Sequence, residues 1–119
     1  LEAWRDKLTT ESMHILDAQL AATYFVQRQG GGAKVCFYYP RGKEIPLFAV
    51  QEPDVQVARV TLKTSAGSDV QRMVVKLFVH RGKFFSMEFP KRPERYMEQH
   101  RMQRETLQVE NVDMLLDLG

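Results

Sequence analysis

The alternation between Arg72 and Phe89 constrains this chain more than any other stretch. Met73, Val75, Leu77 and Val79 fall on one side of a period-two pattern, and Arg72, Lys76 and His80 fall on the other. Successive side chains of a strand point to opposite faces, so this spacing predicts a strand with one buried and one polar side. Arg81-Gly82-Lys83 supplies a tight turn, and Phe85, Met87 and Phe89 return the chain. Together they predict a β-hairpin. With Met73 to Val79 facing a core, Val74 and Phe78 point the other way, and Phe84 is expected beside them. The outer side then carries an apolar patch rimmed by Arg72, Lys76 and Glu88, which is what a protein interface looks like.

Other elements follow from punctuation and period. Thr9, Thr10 and Ser12 are suitable N-caps, and Met13, Leu16, Leu20 and Tyr24 follow at spacings of three and four. This predicts an amphipathic helix over 10–28, ended by Gly30-Gly31-Gly32. Val35, Phe37 and Tyr39 suggest a strand, Ile45, Leu47 and Ala49 a second, and 55–63 a third. Pro90 and Pro93 stop the sheet, and Pro93 suits the first turn of a helix. The expected fold class is α+β, with an N-terminal amphipathic helix packed on an antiparallel sheet of about five strands. The sheet spans 33–89, and a helical extension over 94–119 ends in an acidic tail. A length of 119 residues fits one domain, 1–119.

The residues give little support to catalysis. His14, His80, His100 and Cys36 lie in four different expected elements without a close ligand pair, so no metal site is expected. Cys36 sits between Val35 and Phe37 as a small strand residue, not beside a histidine base. No G-x-S-x-G elbow occurs, and the glycine run follows a helix instead of opening one, the reverse of a phosphate cradle. The reading is a non-enzyme with no cofactor. A hydrophobic share of 44% argues against disorder, and no apolar run reaches the ~20 residues that span a bilayer. No membrane association is expected. A lone cysteine and the lack of a basic-then-apolar leader make the cytoplasm the expected compartment.

Charge is distributed unevenly. Nine Lys or Arg lie between Arg72 and Arg104 against Glu88, Glu94 and Glu98, whereas Glu105, Glu110, Asp113 and Asp117 close the chain without a base. Two binding readings result. In the first, the chain binds a protein partner or its own copy through Val74, Phe78, Phe84, Arg72 and Lys76 of the hairpin and Leu115, Leu116 and Leu118 of the tail. In the second, Arg72, Lys76, Arg92, Arg95 and Arg101 contact nucleic acid, with outward aromatics as stacking surfaces. Interrupting acids and a modest pI of 8.8 place the second behind the first.

The segment from Val75 to Phe89 resembles a pattern in small uncharacterised bacterial α+β domains. There a strand, an Asp-Gly type turn and a return strand ending in Leu-Glu close the domain. Arg81 stands where the Asp is usual, and Met87-Glu88 stands for Leu-Glu. The helix bearing Leu16 and Leu20, before a Gly-rich break and a strand, is similar in order. The resemblance implies the fold shape and no known catalysis, and it leaves the basic helix and acidic tail outside.

Overall fold

Strand β4 (Asp69–His80) buries Met73, Val75, Leu77 and Val79 and leaves Arg72, Val74 and Lys76 exposed, as its alternation requires. The computed structural model describes residues 1–42, 44–50, 52–66, 69–90, 92–100, 102 and 106–118. Around β4 lie β1 (Phe25–Gln29), β2 (Lys34–Tyr38), β3 (Val55–Ala66), β5 (Lys83–Glu88) and β6 (Gln108–Met114). They form one six-stranded antiparallel sheet in the order β1-β2-β5-β4-β3-β6. Helices α1 (Glu2–Arg5), α2 (Thr10–Ala22) and α3 (Pro93–Gln99) complete the described elements. The fold is α+β.

One face of the sheet holds the core. Trp4 of α1 and Leu16 of α2 pack with Phe48, Val57, Val79 and Phe84, all buried. The Trp4 ring lies 5.7 Å from that of Phe84 and 6.3 Å from that of Phe48, the latter edge-on. Thr9 caps α2, its hydroxyl accepting from the Ser12 N–H at 3.2 Å. Arg5 and Asp17 make a two-pronged ion pair at 2.8 Å that ties α1 to α2.

Gln19 is the polar exception inside this core, with no exposed surface. Pairing between β2 and β5 ends at Cys36 and Ser86, so Phe84 has no strand partner on that side. The Phe84 N–H donates instead to Gln19 Oε1 at 2.9 Å, and the Phe84 carbonyl accepts from the Tyr39 hydroxyl. Burial pushes the Tyr39 phenol up, which keeps it a donor. Gln19 Nε2 donates to the Gly82 carbonyl at 2.8 Å and to the Pro46 carbonyl at 2.9 Å. One amide thus joins α2, the β4–β5 turn and the 44–50 loop. Gly82 has φ +82°, and a Cβ there would stand 2.8 Å from the Phe48 carbonyl oxygen. Both facts demand glycine.

Several expectations are corrected. The helix spans Thr10–Ala22, not 10–28, because Phe25–Gln29 pairs with β2 as a strand. The glycine run is the link of that β1–β2 hairpin, with all three glycines at positive φ. Residues 45–49 form no strand, and Phe48 reaches the core from a loop. Of the expected 94–119 helical extension α3 covers Pro93–Gln99, and Gln108–Met114 is instead an edge strand on β3. Phe84 is fully buried, not outward. The two-residue turn pairs His80 with Lys83 and Val79 with Phe84, which puts Phe84 on the Val79 side, and a bulge at Phe85 then brings Ser86 opposite Phe78.

Replacing Gln19 by Glu keeps the shape but aims a carboxylate at two carbonyls. The protonated form donates to one of them, so the folded state holds this proton more tightly than the unfolded chain does. Its folded pKa is therefore raised above the usual ~4.3. The stability deficit relative to wild type is then small below about pH 4 and grows as pH rises, to about 2–4 kcal/mol at neutrality. Urea unfolding of both proteins at several pH values measures it; equal stability at pH 7 contradicts the assignment.

Candidate interaction surface

The face opposite the helices is built from residues of every strand. Cross-strand partners share a face, so the register sets its rows: Phe25 with Tyr38, then Gln27, Cys36, Ser86 and Phe78, then Lys34, Glu88, Lys76, Arg59 and Asp113. Phe85, the bulge residue that follows inward Phe84, faces outward and joins the first row. The Phe25 and Tyr38 rings lie 5.7 Å apart, Tyr38 and Phe85 meet edge-on at 5.9 Å, and His80 stands 5.6 Å from Phe85. Aromatic rings therefore run unbroken across β1, β2, β5 and β4. Phe25 is 49% exposed, and Tyr38, Phe78 and Phe85 are half-buried.

Arg72, Lys34 and Arg59 of this face each have a carboxylate beside them, whereas exposed Lys76 makes no ion pair among the described residues. Arg72 Nε donates to Glu110 at 2.7 Å, Lys34 lies 3.8 Å from Glu88, Arg59 3.8 Å from Asp113, and His80 3.2 Å from Asp54. The hydrogen bond from Arg72 holds the Glu110 carboxyl below the usual range. Lys34 also stands 5.8 Å over the Phe85 ring. Phe85 stands against both Tyr38 and Lys34, which flank Cys36 on the same face, and Cys36 is buried. A thiol in that position is not presented to a substrate.

Residues singled out from the sequence divide between the two faces. Val74, Phe78, Arg72 and Lys76 stand on the outer face, Val74 at 40% exposure. Phe84 is in the core. The tail turns to the inner side: Leu118 is buried among core residues, Leu116 packs against them, and Leu115 stays exposed while its N–H donates to the Val57 carbonyl. The tail therefore does not join the hairpin patch. Arg92 and Arg95 are exposed on α3, whose Pro93 and Met97 pack toward the inner face, so they do not continue the Arg72–Lys76 surface. Arg101 lies outside the described residues. His14 is exposed on α2, and His100 stacks on Tyr96 at 4.2 Å. Among the described residues no group of three His, Cys, Asp or Glu is placed to hold a metal ion.

Phe25, Tyr38 and Phe85 escaped the sequence reading. The signal for Phe85 was present, since a two-residue turn pairs Val79 with Phe84 and leaves Phe85 to the other face. Set against protein-family models, curated proteins and solved structures, the chain matches none. Among the described residues no helix is long and apolar enough to cross a membrane.

A depressed folded pKa makes the Glu110–Arg72 contribution present above the ordinary glutamate value and lost as pH falls through the folded one. Carboxyl titration by NMR should give Glu110 a value below ~4.3 in the wild type, returning toward it in Arg72→Gln. An unshifted Glu110 in the wild type contradicts the pair.

Proposed function

We propose that this chain is a non-enzymatic protein-binding module whose contact surface is the open face of the sheet, centred on Phe85, Tyr38 and Phe78. The observation that carries the reading is the unbroken aromatic row on a face that no described helix covers. Partly exposed aromatic surface in water is unfavourable by ~25 cal/mol per Å2, and a partner that covers it recovers that free energy. Six strands at a spacing of about 4.8 Å make a face roughly 25 Å wide. That is on the scale of the ~800 Å2 each partner gives to a standard interface.

The paired charges favour a protein over nucleic acid. A strand of phosphates is attracted by unneutralised Lys and Arg, whereas here Arg72, Lys34 and Arg59 each have a carboxylate beside them and Lys76 between them is left unpaired among the described residues. An aromatic centre with a rim of mixed charge suits a protein of similar make-up, either a different chain or a second copy of this one.

A photo-crosslinking phenylalanine analogue distinguishes these outcomes. Placed at Phe85 it should link to a second polypeptide, and placed at Ala21, exposed on α2, it should not. Equal yields at the two positions, or products at Phe85 that are nucleic acid alone, would overturn the proposal.

A further inference from the structure

The inner face of the sheet is filled at one end and hollow at the other. Near β5's turn, α1, the link after it, α2 and the 44–50 loop supply Trp4, Leu8, Leu16 and Phe48. At the opposite end the cover among the described residues is α3, with seven residues, together with Leu107. Its Tyr96 is drawn to the open edge of β4, beyond the end of β5, where its hydroxyl donates to the Arg72 carbonyl at 2.8 Å. Pro93 and Met97 remain to face the sheet, and they leave a cavity of about 540 Å3.

Its chemistry is consistent. Val35 and Met73 are buried at its base, and Leu62, Met87 and Met97 surround it, half-buried. Methionine is unbranched and flexible, so such a wall adapts to a chain-like occupant. The volume falls within the ~300–1,000 Å3 typical of small-molecule sites. Arg28 and Glu94 are the charged residues among those lining it. Glu94 is already engaged. Arg28 projects to the inner side from β1, opposite Val35, and makes no ion pair among the described residues. An apolar cavity with one uncommitted guanidinium at its exposed wall selects an occupant of the matching form.

We propose that the cavity between α3 and the inner sheet face binds a small amphiphile with a flexible apolar chain, and that Arg28 receives its carboxylate. The guanidinium offers two parallel N–H donors to the head group while the chain lies among Met73, Met87 and Met97. This site is on the opposite face from the protein-binding surface and stands or falls separately from it.

Methyl-labelled methionine reads the site by NMR, with decanoate, decanol and decyltrimethylammonium as probes below their micelle-forming concentrations. Decanoate should shift the Met73, Met87 and Met97 methyls saturably and leave Met13 and Met114 in place. Decanol should bind about tenfold more weakly, and the ammonium more weakly still. Arg28→Gln should lower decanoate to the affinity of decanol. Met97→Trp, which fills the cavity from the helix, should abolish both, and Arg28→Gln alone remains decisive if that variant is unstable. Absence of saturable shifts overturns the site, and decanoate binding unchanged by Arg28→Gln, or matched by the ammonium, overturns the carboxylate assignment.

Discussion

The buried amide of Gln19 is the constraint from which the rest of this architecture follows. Its three hydrogen bonds reach Phe84, Gly82 and Pro46, all of them far from it in sequence. Without the Gln19 side chain the buried Phe84 N–H loses its partner, at a cost of about 1–3 kcal/mol. The Gly82 carbonyl accepts from the Phe48 N–H as well, at 2.8 Å. The turn, the loop and the helix are thereby fixed as one unit. The strand edge that β2 abandons after Cys36 is closed by the Gln19 and Tyr39 side chains instead of by another strand.

Everything held by that unit lies on one side of the sheet. Trp4, Leu16, Phe48 and Leu118 come from distant parts of the chain and converge on the same buried cluster. The opposite side is left to short-range contacts among its own residues: rings against rings, and cations against carboxylates. Such a face is hydrated through its charges, and weakly steering because most of them are paired. The two proposals occupy the two consequences of this asymmetry. One uses the open aromatic face, and the other uses the end of the closed face that a seven-residue helix is too short to fill.

How much of this is legible in the sequence depends on how local the cause is. β4 could be read directly, because its period-two pattern is strict over Met73–Val79 and half its side chains are buried. Thr9 at the start of α2 and Pro93 at the start of α3 were legible for the same reason, being rules of one or two residues. β1 was hidden because Phe25 and Val26 extend the helical rhythm of Leu16 and Leu20, and no glycine or proline separates them. β6 was hidden because Glu110, Asn111 and Asp113 break its alternation, as an exposed edge strand permits. Gln19 gives no local sign at all, since its importance comes from partners some 27 to 65 positions away. On the outer face Val74, Phe78, Arg72 and Lys76 were placed by alternation alone, whereas Phe84 and Phe85 exchanged roles because the two-residue turn sets Phe84 opposite Val79. Leu116 and Leu118 turned inward once the tail proved to follow an edge strand.

Phe84 and Phe85 are adjacent, chemically identical, and assigned to opposite sides of the sheet, so comparing them tests the two-faced arrangement most directly. Hydroxyl-radical footprinting of the monomeric protein, read residue by residue, should oxidise Phe85 and Phe25 readily and leave Phe84 protected together with Trp4. Protection of Phe85 to the level of Phe84 in the monomer, or labelling of Phe84 to the level of Phe85, would contradict the account.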